Sequence, residues 1–463
     1  MLDNASEVAR APTYNMPDKF DVIIVGAGPS GVACALTLAR AGLSVVVFER
    51  GEFPGAKNMF GGILYTTILN KLVPKFWEEA PIERHITKRR FSILSDEAET
   101  AFEFRTEAYN HQPPYNNSFT AFRAKFDPWF AKKAEEAGAM IISETVVDDV
   151  ILDHGRVVGV KARREGGEVY GDMVVSAEGA NSFLARKLGL RRDFTPKSMV
   201  VAVKEVVGLP REKIQERFCL EGDEGVAMEF FADAVGGLVG SAFIYTNKDT
   251  LSVGMGCTID AYMQHRITPH DIMERFKNHP SIKRYIRGGE LLEYSAHMIP
   301  EGGYHQIPTL VTDGCLLVGD AAHFVNASFY HEGTNLAMAS GVLAAEAIIQ
   351  AKGRGDFSQK NLQNYVEKLQ NSFVLKDLYR YRKLSEWTHQ NPKFFKDYPD
   401  LLIDLIKDYF TISESPKAEI WQQILSKWKG RISAAKTFLE LNRFRKAMFG
   451  PIFGGRRKKT HGL

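Results

Sequence analysis

The sequence predicts an α/β fold. A parallel sheet wrapped by helices carries an inserted antiparallel-sheet domain and is followed by a helical C-terminal region. Three observations carry this expectation. A glycine turn, Gly26-Ala27-Gly28-Pro29-Ser30-Gly31, separates a short apolar run from a run of small residues. A second pair, Gly319-Asp320, lies 288 positions beyond Gly31, with Glu332-Gly333-Thr334-Asn335 soon after it. Between the two, strand-like apolar runs dominate from about Pro196 to His297.

The elements follow in order. Phe20 to Val25 is a short apolar run that reads as a buried parallel strand. The glycine turn opens a helix over Val32 to Ala41, with Gly42 at the position past its end. Ser44 to Phe48 is the next strand and ends at Glu49. Strand, turn, helix and strand in this order form the dinucleotide-binding unit. Gly26 permits the tight turn, Gly28 the close approach of a pyrophosphate, and Gly31 the packing of helix on strand. Pro29 and Ser30 begin the helix whose free N–H groups meet the phosphates. Glu49, 18 residues beyond Gly31, can accept from ribose hydroxyls, and Arg50 follows it. Asp127-Pro128 is read as the cap and first residue of a helix over Phe126 to Ala137. Met140 to Val150, which includes Val147, Arg156 to Arg163 and Asp172 to Ala177 read as strands.

In the inserted region, Ala242–Tyr245 and Thr250–Met255 flank a hairpin loop, Asn247-Lys248-Asp249. Gly314 to Val318 is a last strand and Thr334 to Gln350 a long helix. Beyond Asp356 the apolar spacing is helical. The expected domains are 18–195 and 298–355 for the two parts of the dinucleotide-binding domain, 196–297 for the β-rich domain, and 356–463 for the helical region with its tail.

A split site of this kind suits one long cofactor, FAD. Its adenine half would lie on the first unit and its ribitol and flavin on chain returning later. Gly319 and Asp320 would meet the ribitol side. Gly333, Thr334 and Asn335 open a helix whose N–H groups would face the flavin pyrimidine ring, where a reduced flavin is negative. Arg123, and Glu178-Gly179 after the Asp172 strand, complete the set of expected cofactor contacts, with Arg50 and Val147.

Other function classes are narrowed by composition. No run of 18 apolar residues is present. Met1 to Pro17 has no signal-peptide core, so a cytoplasmic protein is expected. Four cysteines, Cys34, Cys219, Cys257 and Cys315, form no C-x-x-C pair, so no metal site is expected. Net charge is +3, but Trp421 to Leu463 holds eleven Lys/Arg against one acid and includes Arg456-Arg457-Lys458-Lys459. Within it, Trp421, Ile424, Leu425 and Trp428 alternate with Lys427, Lys429 and Arg431. This suits a peripheral membrane contact and equally an acidic subunit. No nucleic-acid motif accompanies the tail, so no nucleic acid is expected.

The order of motifs resembles the FAD flavoproteins of hydroxybenzoate-hydroxylase-like architecture. More narrowly, it resembles the FixC-type flavoproteins, relatives of electron-transfer-flavoprotein:quinone oxidoreductase. The residues that carry this are Gly55-Ala56-Lys57-Asn58-Met59-Phe60-Gly61-Gly62, then Ala296-His297-Met298-Ile299-Pro300-Glu301-Gly302-Gly303-Tyr304 with Ile307-Pro308, and Glu332 to Gly341. By the resemblance, Lys57, Asn58, Gly61 and Gly62 join the cofactor site, and Pro300 to Gly303 form a wall of the quinone pocket.

The resemblance implies an enzyme that takes electrons from electron-transfer flavoprotein subunits and passes them to menaquinone or ubiquinone. It would do so at the inner face of the cell membrane, within a multi-subunit complex. The chain departs from the quinone oxidoreductases in having no cysteine after Cys315. The resemblance therefore implies a separate ferredoxin-like iron–sulfur subunit. Glu178 stands where hydroxylase-like relatives have Asp, which leaves its role open. Candidate proton donors are His297, Tyr304 and His331, with His323, Tyr330 and Glu332 nearby. Two other readings remain: a geranylgeranyl-reductase-like enzyme acting on prenyl lipids, and a docking flavoprotein without its own substrate.

Overall fold

The computed structural model describes residues 19–58, 61–164, 166–431 and 434–449. The N-terminal arm, Met59-Phe60 and the Arg456–Lys459 cluster lie outside the described residues.

The chain opens with β1 (Phe20–Val25), α1 (Pro29–Arg40) and β2 (Val45–Phe48). Then come β3 (Gly61–Tyr65), α2 (Thr67–Leu72), β4 (Ile82–Leu94), β5 (Glu99–Arg105) and β6 (Ser118–Phe122). Next are α3 (Arg123–Glu136), β7 (Met140–Ile142), β8 (Val147–Asp153), β9 (Arg156–Ala162), β10 (Glu168–Ser176) and α4 (Phe183–Lys187). The second half continues with β11 (Met199–Gly208), α5 (Arg211–Phe218), β12 (Glu224–Ala232), β13 (Gly240–Thr246) and β14 (Thr250–Thr258). It goes on through α6 (Ile259–His265), α7 (Pro269–Asn278), α8 (Pro280–Ile286), β15 (Glu290–Pro300), β16 (Val311–Thr312) and β17 (Cys315–Leu317). Next come α9 (Thr334–Arg354), α10 (Gln359–Asn371), α11 (Phe373–Arg380), α12 (Leu384–Gln390), α13 (Asp397–Phe410) and α14 (Lys417–Arg431). A last helix, α15 (Ala434–Phe449), follows them.

Among the described residues there are two sheets. In the first, β17, β10, β1, β2 and β7 run parallel in that spatial order. The centre of β1 is buried on both faces, as the continuous apolar run requires. One face of this sheet is covered by α1, α3 and α9, with α10 packed on α9. Helices α1 and α9 touch at backbone distance: a Cβ on Gly341 would stand 2.1 Å from the Ser30 carbonyl oxygen. Gly26 has φ +109, and a Cβ there would stand 2.3 Å from the Ala177 oxygen at the end of β10. The glycine turn therefore lies hard against the neighbouring strand.

The second sheet runs β15-β11-β14-β13-β12-β4-β6-β3, with β5 on β4. It draws strands from both 61–122 and 199–300. The earlier group has no clean apolar alternation, because β4 buries charge: Arg84, Glu83 and Lys88 are all less than 9% exposed. Arg84 is tolerated because its guanidinium donates to the carbonyls of Asn247, Gly222, Glu224 and Lys248 at 2.6–3.1 Å. It thereby pins the Asn247–Asp249 hairpin, which forms where the sequence predicts it. Helices α5 to α8 cover one face of this sheet and make a second apolar core with Val226, Met228, Phe230, Ile244 and Val253. The period-2 alternation of the strands leaves the opposite face towards the first lobe.

Three local expectations are corrected. The helix expected from Phe126 starts at Arg123, so Asp127 is not a cap. Its buried carboxylate accepts a two-pronged bond from Arg123, at 2.5 and 2.6 Å, one helical turn away. Pro128 lies inside the helix, where it removes one intrahelical N–H. The expected strand Met140–Val150 is two strands, broken at Glu144, whose φ is +54. The break docks the turn on β2's end: the N–H groups of Glu144 and Thr145 donate to the carbonyls of Gly51 and Glu49.

Candidate functional site

A cavity of about 1360 Å³ runs between the two lobes. The alternation of the large sheet builds its far wall. Glu229 and Phe231 of β12 point into it while Met228 and Phe230 fill the second core. The same rule sends Phe243 and Tyr245 of β13, Lys204 of β11 and His297 and Ile299 of β15 to the cavity, and Glu301, just past the end of β15, lines it too.

The glycine turns form one end. Gly26, Gly28, Pro29, Ser30, Glu49, Arg50, Lys57, Asn58, Gly61, Gly62, Arg123, Val147, Glu178, Gly179, Asp320, Gly333 and Thr334 all line it. Residues far apart in sequence thus meet on one wall. Helix α1 begins at Gly28 and α9 at Gly333, and neither has a side-chain cap. Their first-turn N–H groups are left for a ligand. Added Cβ atoms on Gly179 or Gly333 would meet nothing within 4 Å. Asp320 lines the cavity, and its carboxylate accepts no hydrogen bond from the described residues. Burial raises its pKa against the pull of Arg123 and Arg191. Two open helix N-termini, an unbonded carboxylate and glycine-lined space fit a dinucleotide with a flavin at one end.

Glu49 does more than wait for a ribose. Its Oε2 accepts from the Ala27 N–H at 3.0 Å and its Oε1 from the Gly51 N–H at 2.7 Å. The carboxylate therefore holds the glycine turn in place. Glu178 also gains a structural partner. It accepts from the Ser176 hydroxyl at 2.8 Å and from the Leu184 N–H, one residue into α4, at 3.1 Å. Burial nevertheless raises its pKa.

Four expected residues lie behind the wall. A Cβ on Gly31 would stand 2.0 Å from the Gly26 oxygen, so Gly31 serves helix packing. Gly319 donates its N–H to the Ser340 hydroxyl at 2.9 Å. Asn335 accepts from the Ile68 N–H at 3.1 Å and donates to Glu332 at 2.7 Å, tying α9 to α2. Tyr304 packs edge-on against Tyr379, with ring centroids 5.2 Å apart.

Sequence reasoning misses a buried carboxylate on the cavity wall, Glu229. Glu229 is 2% exposed, and neither carboxylate oxygen has a hydrogen-bond partner. Two basic side chains face it instead, His331 at 3.4 Å and Arg89 at 3.8 Å. Arg89 also donates to the Tyr65 hydroxyl at 3.0 Å, which donates to the Tyr330 carbonyl. Burial disfavours a charge on His331 and Arg89 opposes it, but Glu229 and Glu301 prevail and raise its pKa. His297 is the reverse case: burial, then Arg123 and Arg50, push it down to about 4. A single acid between Met228 and Phe230 carries no motif, so only the folded sheet reveals Glu229.

At the far end the lining is aromatic. Trp387 of α12 packs edge-on against Phe394 and at a tilt against Phe444 of α15, with centroids 4.9 Å away in each case. Helices α14 and α15 show mixed faces: Ile424 and Met448 are buried, whereas Trp421, Leu425 and Leu441 are exposed.

Comparison with known proteins agrees with this geometry. Residues 21–186 and 115–347 match families described as FAD dependent oxidoreductase. Residues 384–449 match the ETF-QO/FixC family C-terminal domain, which contributes the aromatic end. The chain is 46% identical over 405 residues to Protein FixC of Azorhizobium caulinodans, covering 87% of this chain and 92% of that one. It is 41% identical over 411 residues to the "Probable electron transfer flavoprotein-quinone oxidoreductase YdiS" of Escherichia coli, covering 88% and 94%. Among solved structures, a geranylgeranyl bacteriochlorophyll reductase-like protein of Thermoplasma acidophilum superposes with TM-score 0.69 at 23% identity, covering 89% and 97%. A myxobacterial chondrochloren halogenase superposes with TM-score 0.60 at 20% identity, covering 95% and 99%. At these identities the structural likeness establishes the fold alone. With the relatives covering most of its length, the chain belongs to the FixC family of FAD-dependent oxidoreductases.

Proposed function

We propose that the chain passes electrons from an electron-transfer flavoprotein, by way of FAD, to a membrane menaquinone or ubiquinone, within a complex that includes a ferredoxin-like iron–sulfur subunit. One observation carries the reading. The cavity that begins at the glycine turns continues into an aromatic chamber of the C-terminal domain. Its volume of about 1360 Å³ exceeds the roughly 300–1,000 Å³ usual for a single ligand. A flat, apolar second ligand fits that remainder, and a quinone is one.

Bound FAD supplies the electron-carrying chemistry. The chain's own residues bind and orient. The open ends of α1 and α9 take the negative parts of the cofactor, Glu49 fixes the turn, and Arg123 holds its place through Asp127. Reduction of a quinone consumes protons, and the proton we assign to this step is held on His331 Nε2 against Glu229. His297, held neutral, is not that source.

Exposed Phe102 and Phe104 on the β4–β5 hairpin support a membrane-side mouth, since Phe102 also lines the cavity. Among the described residues no helix is long and apolar enough to cross a membrane, so contact at the inner face would be peripheral.

The test is anaerobic. Protein with its FAD chemically reduced is mixed with a short-chain menaquinone analogue and followed by flavin absorbance. The reading expects quinone-dependent reoxidation within seconds. Flavin that stays reduced with menaquinone and ubiquinone analogues alike overturns it.

A further inference from the structure

Four buried polar atoms with no hydrogen-bond partner lie at the aromatic end of the cavity or against its lining: Thr258 Oγ1, Trp387 Nε1 and His389 Nε2 on lining residues, and Asp260 Oδ1 facing His389. Thr258 is 5% exposed and Trp387 7%, and both line the cavity, as does His389. Thr258 ends β14 and Asp260 lies in the first turn of α6, whereas Trp387 and His389 share α12. Asp260 Oδ1 and His389 Nε2 face each other at 3.7 Å, beyond hydrogen-bond reach. An unpaired buried polar atom is costly, so three on the lining of one cavity, with Asp260 facing the third, call for a ligand.

The donor and acceptor pattern specifies that ligand. His389 Nδ1 lies 2.7 Å from the Ser385 carbonyl oxygen. A carbonyl only accepts, so Nδ1 carries the hydrogen, and in the tautomer with its single hydrogen there Nε2 is an acceptor. Asp260 Oδ1 is also an acceptor. The pair therefore requires a donor between its members, and Trp387 Nε1–H requires an acceptor. The Thr258 hydroxyl serves either way. A hydroxyl group on a ring meets all of these demands: its hydrogen goes to the Asp260–His389 pair and its oxygen accepts from Trp387. A carbonyl or ether oxygen satisfies Trp387 only. Phe394 and Phe444 supply the ring-stacking walls.

We propose that Thr258, Asp260, Trp387 and His389 form a binding site selective for hydroxyl-bearing aromatic compounds, so that it holds a hydroquinone in preference to the corresponding quinone. The ligand class rests on the quinone reading above; the selectivity rests on the four unpaired atoms.

Two redox-inert probes of one ring test this, 1-naphthol and 1-methoxynaphthalene, titrated calorimetrically into the full-length FAD-loaded protein. The expected result is at least tenfold tighter binding of 1-naphthol. Asp260→Asn should bring that preference below threefold. Trp387→Phe, which keeps the ring but loses the N–H, should weaken both probes by a similar factor. FAD absorbance and melting temperature report whether each variant is folded, and the wild-type comparison stands without any variant. Equal affinity of the wild-type protein for the two probes overturns the proposal, as does an unchanged preference in folded Asp260→Asn. If quinones reoxidise the flavin but the probes bind alike, only the hydroxyl site fails. If 1-naphthol is preferred but no quinone reoxidises the flavin, only the quinone reading fails.

Discussion

His331 Nε2 stands 3.4 Å from Glu229 Oε2 on the cavity wall, and neither Glu229 oxygen has any other bond than its ionic contacts with His331 and Arg89. Burial works against the charge on His331, yet its pKa is raised because Glu229 and Glu301 outweigh burial and Arg89. The sign of the linkage follows. The pair's contribution to stability is complete below the ordinary histidine value of about 6.5 and is lost as pH rises through the higher folded value. Glu229→Gln should return the His331 pKa to below about 6.5, as read by NMR of the ring protons. The stability difference between wild type and Glu229→Gln should shrink between pH 6 and pH 9 in urea titrations. A gap that stays constant over that range counts against the pair.

The two cavity histidines should separate in kinetics. His297 is pushed down to about 4, so it is neutral across the physiological range and has no proton to give. His297→Gln should leave the pH profile of quinone-dependent flavin reoxidation unchanged between pH 5.5 and 8. Its only pH-linked stability, present above about 6.5, fades as pH falls towards the folded value. His331→Gln should slow reoxidation by about 10²–10⁴-fold and flatten the alkaline limb of the profile. A His297 variant that shifts the profile as His331→Gln does would reverse the assignment.

Two glycines of one helix should behave oppositely. Gly341 meets the Ser30 oxygen at 2.1 Å from an added Cβ, whereas Gly333 meets nothing within 4 Å. Gly341→Ala should force α9 off α1 and cost several kcal/mol, on the scale of overpacking at about 1–3 kcal/mol or more, with poor folding as the sign. Gly333→Ala should fold with unchanged melting temperature as the apoprotein. Its FAD affinity should fall at least tenfold, because the added methyl group enters the space beside the open helix end. Retention of wild-type FAD affinity by Gly333→Ala would place the flavin away from α9.

The contrast between these residues shows what a sequence reveals. The glycine turns, Glu49 and Gly319-Asp320 were legible because their chemistry requires fixed residue types at fixed spacing, and local strand and helix periodicity frames them. Strands β3 to β6 were not, because Arg84 and Lys88 are buried at positions where alternation calls for apolar residues. Arg84 makes sense only once the carbonyls of residues 222–248 surround it. Asp127-Pro128 misled for a related reason. The pattern is that of a helix start, but Arg123, four residues earlier, supplies a stronger partner than a backbone N–H. Glu229 and the Trp387 group carry no local signal at all, since their roles arise from lobes meeting across a cavity.

The Arg123–Asp127 pair offers a prediction with a pH signature. Asp127 is 1% exposed, and burial raises its pKa even though Arg123 pulls the other way, with Glu49 adding to the rise. Arg123→Met removes the opposing cation and leaves a carboxylate in the protein interior. Loss of one partner of a buried pair costs about 3–5 kcal/mol when the remaining charge cannot escape. Here it can escape by taking a proton. A carboxylate with a raised folded pKa contributes its full stability below about 3.9 and loses it as pH climbs through the folded value. The variant's folded value is higher still, so its deficit should grow with pH, being small at pH 5 and near the full figure at pH 8 in urea titrations. Asp127→Asn in the same chain removes the charge and should erase the pH dependence, while Arg123→Met alone keeps it. A deficit equal at both pH values would mean that Arg123 acts through packing of its side chain against Gly28 and the turn, not through the charge it holds on Asp127.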